Sequence, residues 1–127
     1  MIFGVGADII KISRIKKFMK KKSFISRLFA KEEVLKCKKK NKNFSNCFAK
    51  RFAAKEAFSK ALGTGISQGI NFNEIIILNK KNGKPFIKLI NKTKKIVEKK
   101  LNKKKYTISL SLSDEDNYAV AFVTISL

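Results

Sequence analysis

The chain has 127 residues, of which 30 are Lys or Arg and 9 are Asp or Glu, so its formal net charge is +21. Apolar residues make up 44% of the sequence, which predicts one domain with a hydrophobic core over residues 1–127. No apolar run approaches the length of a membrane-spanning helix, and no basic stretch of a signal peptide precedes the first apolar residues. We therefore expect a cytoplasmic protein that does not insert into a membrane.

The positive charge favours anionic partners such as nucleic acid, a phosphorylated cofactor or an acidic protein. Only Arg14, Arg27 and Arg51 are arginine, the side chain that reads guanine edges and binds phosphate in bidentate fashion. A basic nucleic-acid-binding module remains an alternative. However, the sequence contains no recognised DNA- or RNA-binding motif, and its phenylalanines lie at core-like spacing. We expect no nucleic-acid ligand.

Cys37 and Cys47 lie ten residues apart, and the chain contains no histidine. This is a poor zinc set, because structural zinc sites combine four Cys or His ligands. We interpret both residues as free thiols of a reducing compartment. The lack of histidine also removes the usual general base near neutral pH.

The first half of the chain begins with a strand predicted at 2–10. Gly4 and Gly6 leave one face of this strand without side chains until Asp8, while the other face is apolar. The next predicted elements are a basic amphipathic helix, a separate helical turn, a short polar helix and a polar link, at 12–20, 24–29, 32–40 and 41–46.

The clearest helical pattern covers 48–62, and Gly63 follows where a C-terminal cap is expected. A hairpin is predicted for 75–78 and 85–90, which flank Asn82-Gly83. A Lys-rich helix at 93–101 precedes two alternating runs, 106–113 and 118–125, which predict a second hairpin with its turn at 114–117. Together these elements predict an α+β fold, with antiparallel strands packed around a central helix.

Glu56 is an acid on a face of small side chains in the central helix. At 100° per residue it shares a stripe with Ala53, and Lys60 lies one turn further on. Arg51 and Lys55 share a different stripe, where a bound anion would relieve their mutual repulsion. Together these charges are what a site for a metal-bound polyphosphate needs. An ordinary helix ion pair between Glu56 and Lys60 remains the alternative.

Asp8 is the second unusual acid, because aspartate is disfavoured within an apolar strand. If Asp8 and Glu56 converge, they supply the two carboxylates that Mg²⁺ commonly takes from a protein. Asp8 could instead cap the helix that follows. The segment Gly63-Thr64-Gly65 could present backbone N–H groups to a phosphate, although glycine after a helix is commonly just a cap.

A basic patch surrounds Arg14 in the first predicted helix and would suit an acidic protein as a docking face. A run of solvated charges is the alternative. The lysines of this patch are Lys16, Lys17, Lys20, Lys21 and Lys22.

Three segments, spread over nearly the whole chain, carry a resemblance to a known family. The first is Gly4-Val5-Gly6-Ala7-Asp8-Ile9-Ile10 with Ile12 and Arg14-Ile15. The second is Arg51-Phe52-Ala53-Ala54-Lys55-Glu56-Ala57 with Lys60-Ala61-Leu62-Gly63-Thr64-Gly65, and the third is Ser109-Leu110-Ser111-Leu112-Ser113 with Tyr118-Ala119-Val120-Ala121. In this order they resemble the motifs of the holo-(acyl carrier protein) synthases, the short bacterial class of the 4′-phosphopantetheinyl transferase family.

The resemblance implies an enzyme of lipid and fatty acid biosynthesis that moves the 4′-phosphopantetheine group of coenzyme A to a serine of apo-acyl carrier protein. It also implies release of adenosine 3′,5′-bisphosphate, and a homotrimer with active sites between subunits. By the family pattern, Asp8 and Glu56 are Mg²⁺ ligands, and Glu56 and Lys60 are the catalytic residues. The predicted coenzyme A contacts are Arg51, Lys55, Lys60, Gly63, Thr64 and Gly65.

The resemblance leaves the proton acceptor open. We favour Lys60 as a phosphate ligand over Lys60 as general base, because Glu56 would oppose the lowered pKa that a lysine base needs. A metal-bound water, or activation of the serine by the metal itself, are the alternatives. A catalytically inactive assembly subunit, in which Glu56 and Lys60 only form an ion pair, is a further alternative.

Docking of the acidic carrier protein is predicted at Arg14, which matches the family position, and at Lys17, Lys20 and Arg27 by charge. Asp114 departs from the family, since many members have histidine there. Because an acid repels phosphate, we expect Asp114 either to lie away from the phosphate or to serve another role, such as a turn cap.

Overall fold

The computed structural model of the chain describes residues 1–65 and 68–127. In this part of the chain the strands are β1 (Ile2–Lys11), β2 (Ile75–Asn79), β3 (Pro85–Leu89), β4 (Thr107–Glu115) and β5 (Tyr118–Ser126). The α-helices are α1 (Ile12–Phe18), α2 (Lys22–Leu28), α3 (Lys31–Lys38), α4 (Phe44–Leu62) and α5 (Asn91–Lys100). Short 3₁₀ turns at Asn41–Asn43 and Phe72–Glu74 precede α4 and β2.

Three strands form an antiparallel sheet in the order β1-β5-β4, and β2 and β3 form a separate hairpin. In the larger sheet Asp8 of β1 lies opposite Ala121 of β5, which in turn lies opposite Leu112 of β4. Ile77 and Ile87 face each other in the smaller hairpin. Both predicted hairpins and the α+β class are therefore confirmed.

Helix α4 packs on the inner face of the three-stranded sheet, and β1 approaches it closely. A Cβ atom added to Gly4 or Gly6 would collide with the carbonyl oxygen of Ala61 or Ala57, respectively. Small residues on both elements make this approach possible. The side-chain-free face of β1 is therefore the face against the helix, and Asp8, two residues further along the same face, lies beside α4.

The hydrophobic core lies between this sheet and α4. Phe48 and Phe58 of the helix and Val123 and Ile125 of β5 are fully buried there. Burial of each such side chain stabilises the fold by about 1.5–3 kcal/mol relative to exposure. The core therefore holds α4 and the sheet together at the joint where Asp8 lies.

The outer face of the sheet exposes large apolar side chains. The exposed fractions of Phe3, Val5, Ile9, Val120 and Phe122 range from 38% to 64%. Contiguous apolar surface of this kind is characteristic of an interface between proteins. Here it lies on the side of the sheet opposite α4.

Helix α4 begins at Phe44, four residues before the predicted start. The polar link predicted at 41–46 is therefore wrong in its second half. Packing overrides local polarity here, because Ser45 and Cys47 are both buried in the first helical turn. At its other end α4 stops at Gly63, which has a left-handed φ of 86° and confirms the predicted cap.

Cys37 and Cys47 form a disulfide bond, so the prediction of two free thiols is wrong in this structure. Cys37 lies in α3 and Cys47 in the first turn of α4, and the intervening turn brings their Cα atoms to 5.4 Å. Sequence spacing alone did not predict the pairing, because it depends on how two short helices fold back on each other. In the described ranges, no helix combines the length and the apolar character needed to cross a membrane.

Candidate active site

Asp8 of β1 and Glu56 of α4 lie at the joint between the two elements, and the side chain of Lys60 extends from α4 to β1. The Lys60 Nζ is 3.2 Å from Asp8 Oδ1 and donates to the carbonyl oxygen of Ala7 at 3.1 Å. Lys60 therefore pairs with the acid on the strand and not with Glu56, so the simple helix ion pair is not what forms. Helix α1 begins after Lys11, three residues beyond Asp8, so Asp8 does not cap that helix.

The environment of Glu56 raises the pKa of its carboxyl group above the ordinary value of 4.5. Burial is the main cause, the negative charge of Asp8 adds to it, and the positive charge of Lys60 opposes it. The pKa of Glu56 therefore depends on both neighbouring charges. Asp8 and Glu56 thus lie close enough for their charges to interact, and Lys60 pairs with Asp8 at the same joint.

Two like charges held together in this way favour a bound cation. Carboxylate oxygens are the ligands that Mg²⁺ prefers, and the ion completes its shell with water and substrate phosphate. Among the described residues, no cluster of three or more His, Cys, Asp and Glu side chains could hold a metal by themselves. The residues present therefore fit an ion that takes two protein ligands and obtains the others from its substrate.

Glu56 also lines a cavity of about 430 Å³. Its walls are mostly apolar and come from α1, α2, α4 and the turn before β2. Among the described residues of this lining Arg27 is the only basic one, and the lining also includes Phe18, Phe24, Leu28, Phe52 and Phe72. The cavity therefore suits an apolar group that reaches the acid pair, with one cation at its edge for an acidic substituent.

Arg51 lies in a second pocket, of about 640 Å³, on a different face of α4. Its Nη2 donates to Asn79 Oδ1 at 3.1 Å, and its Nη1 contacts Cys47 Sγ at 3.2 Å. The other basic residues of this pocket are Lys36, Lys40, Lys50, Lys80 and Lys81. Within one chain Arg51 is therefore separate from the acid pair, although its pocket has the charge that a polyphosphate needs.

Lys55 does not occupy the predicted position at a phosphate. Its ammonium group is fully buried and forms an ion pair with Glu33 at 2.6 Å. It also donates to the carbonyl oxygens of Leu28 and Phe72, each at 2.7 Å. The three N–H donors of Lys55 are thus all used inside the protein, so the predicted coenzyme A contact of Lys55 is wrong in this structure.

Burial lowers the pKa of Lys55 to about 8, although the nearby carboxylate of Glu33 acts in the opposite direction. Sequence reasoning missed Glu33 altogether. The only available signal was its place as an acid in the first turn of a short helix, where it accepts a hydrogen bond from the Ala30 N–H at 2.9 Å.

The turn after α4 also differs from the prediction. The N–H groups of Gly63, Thr64 and Gly65 all donate to the carbonyl oxygen of Ser59, at 3.1, 3.2 and 3.3 Å. These donors close the end of the helix, as in a common C-terminal cap. The predicted phosphate contact through this backbone is therefore not supported, because the N–H groups point back into the helix.

Asp114 lies near the end of β4, which continues to Glu115, so the predicted turn at 114–117 is too long. Its carboxylate accepts a hydrogen bond from Asn46 Nδ2 at 2.9 Å and lies 3.3 Å from Lys50 Nζ. The hydrogen bond from Asn46 lowers the pKa of Asp114, burial opposes the shift, and Lys50 contributes to it. Asp114 thus ties β4 to α4 at the edge of the basic pocket.

The predicted docking residues all lie on the surface. Arg14, Lys17 and Lys20 are exposed on α1 and the turn after it, and Arg27 is exposed at the end of α2. Arg27 also borders the apolar cavity that contains Glu56. The four cations therefore lie on the elements that approach the acid pair from one side.

The fold and the site define an α+β protein whose N-terminal strand and central helix together present two carboxylates and a lysine. The family model of the 4′-phosphopantetheinyl transferase superfamily matches residues 4–123 of the sequence. The chain belongs to this family.

Individual proteins agree with this assignment. A holo-[acyl-carrier-protein] synthase from Pelagibacter ubique is 45% identical over 124 residues, which cover 98% of this chain and 96% of that protein. The crystal structure of a Neisseria meningitidis holo-[acyl-carrier-protein] synthase is 36% identical, covers both chains fully and has a TM-score of 0.86. A Bacillus anthracis synthase, solved in complex with CoA (3′,5′-ADP), is 34% identical over 98% of this chain and 96% of its own, with a TM-score of 0.81.

Proposed function

We propose that this chain is an enzyme that transfers the 4′-phosphopantetheine group of coenzyme A to a serine of apo-acyl carrier protein, as a single domain over residues 1–127. The serine oxygen forms a new bond to the phosphorus next to pantetheine. The bond from that phosphorus to adenosine 3′,5′-bisphosphate breaks, and the serine loses its proton. The convergence of Asp8, Glu56 and Lys60 at the β1–α4 joint is the observation that carries this proposal.

Asp8 and Glu56 would hold the Mg²⁺ ion. The ion supplies positive charge to the pyrophosphate oxygens, on which negative charge develops during transfer. Lys60 acts as a phosphate ligand, because its ammonium group is already held at the acid pair by Asp8 and Ala7. An ion held by Asp8 and Glu56 would lower the pKa of the serine hydroxyl, whose proton would then pass to solvent water and not to Lys60.

The coenzyme A site is completed by a second copy of the chain in a homotrimer. Arg51 and Glu56 lie on different faces of α4 and line separate pockets, which favours a coenzyme A site shared between two chains. The exposed apolar face of the three-stranded sheet offers a surface for self-association. In such a ring the basic pocket around Arg51 would receive anionic groups of a coenzyme A whose pyrophosphate lies at the neighbouring acid pair.

The acyl carrier protein docks on the side of the molecule formed by α1 and α2. Arg14, Lys17, Lys20 and Arg27 provide the positive charge that an acidic carrier protein requires. The apolar cavity beside Glu56 then accepts the apolar side chains around the target serine. This arrangement brings the acceptor to the acid pair from the face opposite the basic pocket.

The enzyme works in fatty acid and lipid biosynthesis in the cytoplasm, where coenzyme A and carrier proteins meet. The free thiols that first suggested a reducing compartment are absent, because Cys37 and Cys47 are paired. The two cysteines therefore give no support for the cytoplasmic location, which we propose from the substrates.

Incubation with apo-acyl carrier protein, coenzyme A and Mg²⁺, followed by intact mass measurement of the carrier, tests the proposal. We expect the carrier to gain the mass of one phosphopantetheine group. Asp8→Asn and Glu56→Gln should each abolish the gain while circular dichroism reports an unchanged fold. Full transfer by either variant would remove the metal assignment.

A further inference from the structure

Lys55 is a buried cation that the proposed chemistry does not use. Its Nζ donates to three acceptors in three different elements: Glu33 Oε1 in α3 at 2.6 Å, the Leu28 oxygen at the end of α2 at 2.7 Å, and the Phe72 oxygen in the turn before β2 at 2.7 Å. A lysine ammonium has three N–H donors, so its hydrogen-bonding capacity is fully satisfied.

Two of these acceptors belong to the walls of the cavity beside the acid pair. Leu28 and Phe72 both line the same 430 Å³ cavity as Glu56. Lys55 itself directly precedes Glu56 in α4. One ammonium group therefore connects the helix that carries Glu56 to two segments of the cavity lining, one at the end of α2 and one in the turn before β2.

Glu33 fixes this ammonium group from the opposite side. It is fully buried, and its second oxygen accepts a hydrogen bond from the Ile77 N–H of β2 at 3.2 Å. Its first oxygen also accepts from the Ala30 N–H at the start of α3 at 2.9 Å. The position of Lys55 is thus determined by α3 and β2 as well as by the cavity walls.

We propose that Lys55 is a positioning residue for the acceptor: it holds the Leu28 and Phe72 segments of the cavity lining in the arrangement that the serine-bearing segment of the carrier protein requires beside Glu56. This inference rests on the proposed transfer function. Because the cavity is mostly apolar and the basic pocket around Arg51 lies on another face of α4, the effect falls on the carrier protein and on the chemical step, and not on the affinity for coenzyme A.

A purely structural role for Lys55 would have a different consequence. Loss of the buried pair would then lower the free energy of unfolding, but the folded fraction would retain wild-type kinetic constants. A positioning role instead raises the KM for the carrier protein and lowers kcat in molecules that are fully folded. Kinetic constants corrected for the folded fraction therefore separate the two roles.

The test variant is Lys55→Met combined with Glu33→Gln, which removes all three donated bonds without leaving a lone buried charge. We expect the KM for apo-acyl carrier protein to rise at least about tenfold and kcat to fall. The Kd of coenzyme A, measured by calorimetry in Mg²⁺, should stay within about twofold of the wild-type value. Lys88→Met, the same change at an exposed lysine of β3, is the matched control and should keep wild-type constants.

Wild-type KM and kcat in the folded double variant would overturn the proposal. If circular dichroism shows that the double variant does not fold, Lys55→Arg decides the question. Its guanidinium keeps the charge opposite Glu33 but cannot direct donors at all three acceptors, so a raised carrier KM supports positioning and an unchanged one refutes it. Absence of transfer by the wild-type enzyme would contradict the proposed function itself, which distinguishes the two failures.

Discussion

Lys55 and Glu56 are adjacent in sequence but lie in opposite environments. Lys55 points into the protein, where three acceptors surround its ammonium group. Glu56 points to the cavity and the acid pair, where burial and the charge of Asp8 raise its pKa. At the residue scale, the difference follows from the 100° step of a helix, which turns neighbouring side chains to different faces.

The raised pKa of Glu56 predicts a pH-dependent affinity for Mg²⁺. Below this pKa a proton competes with the metal for the carboxylate, so the affinity should rise with pH and level off once Glu56 is ionised. Calorimetric titration of the protein with Mg²⁺ and coenzyme A at about pH 5 and about pH 8 measures the effect. Glu56→Gln is the control, since it removes the ionisation. Equal affinity of the wild-type protein at both pH values would contradict the assignment.

The lowered pKa of Asp114 predicts an acid-dependent contribution to stability. Because the folded-state pKa lies below the ordinary 3.8, the stabilisation is present above pH 3.8 and is lost as the pH falls through the folded-state value. Asp114→Ala should therefore lower the free energy of unfolding by about 1 kcal/mol near neutral pH, and the difference from wild type should shrink below about pH 3.8.

Urea unfolding of wild type and Asp114→Ala at several pH values provides this measurement. Glu115→Ala is the matched control, because Glu115 is an exposed acid next to Asp114 in the same strand. A difference between wild type and Asp114→Ala that stays constant down to the lowest pH would show that the charge of Asp114 is not responsible.

At the scale of elements, the site depends on the close packing of β1 against α4. Gly4 and Gly6 have no side chain on the face that meets the helix, and the helix presents alanines there. Asp8 follows on that face, and its partner Lys60 comes from the helix. The distance between strand and helix therefore sets whether Asp8 and Glu56 can share a cation.

Gly6→Ala should destabilise the protein by about 3 kcal/mol or more, because the added Cβ meets the backbone oxygen of Ala57, which cannot move away as a side chain would. Gly83→Ala is the matched control. Gly83 has a φ of 89° and open space around it, so alanine there adds only the backbone strain of about 1 kcal/mol.

Urea unfolding midpoints of the two glycine variants and of wild type give the comparison. If Gly6→Ala costs no more stability than Gly83→Ala, then β1 does not pack against α4 as closely as described. The folded fraction of the Gly6→Ala variant should also bind Mg²⁺ more weakly than wild type, because any outward shift of β1 separates Asp8 from Glu56.

At the scale of the whole molecule, the acid pair and the basic pocket lie on different sides of α4. The acid pair with its apolar cavity is on one side, and the basic pocket around Arg51 is on the other. The sheet also exposes an apolar face on the side away from α4. Both features agree with a ring in which each coenzyme A contacts two chains.

Complementation between inactive variants tests this arrangement. Glu56→Gln and Arg51→Gln should each be inactive alone, because each damages one half of every site. After subunit exchange, an equal mixture should regain about one quarter of the wild-type rate, since random assembly of a closed ring restores that fraction of interfaces.

The control for complementation is a charge on the outer face of the sheet. Phe122→Glu, introduced into both variants, should prevent the recovery and reduce the mass seen in sedimentation below three times the 14.4 kDa of one chain. Leu35→Glu changes an apolar residue on α3 that is more exposed than Phe122, 65% against 45%, and should leave the recovery intact. Lack of any recovery in the simple mixture would favour sites formed within single chains.

Much of the fold could be predicted from local pattern. The alternation of 106–113 and 118–125 and the Asn82-Gly83 turn led to both hairpins, and Gly63 marked the end of α4, because these signals depend on residues close together in the chain. Asp8 and Glu56 could be selected as well, since an acid in an apolar strand and an acid among small helical side chains are each unusual in sequence.

The tertiary structure alone decided which charges face outwards. The sequence predicted that Lys55 contacts a phosphate, but packing buries it against Glu33, Leu28 and Phe72. The sequence also predicted free thiols at Cys37 and Cys47, but the fold pairs them in a disulfide. In both cases the partners come from segments distant along the chain or folded back on each other, and no periodic signal encodes such contacts. Local composition therefore determined the elements and the candidate acids. Whether a basic side chain points into the protein or to solvent depended on burial, which only the assembled core defines.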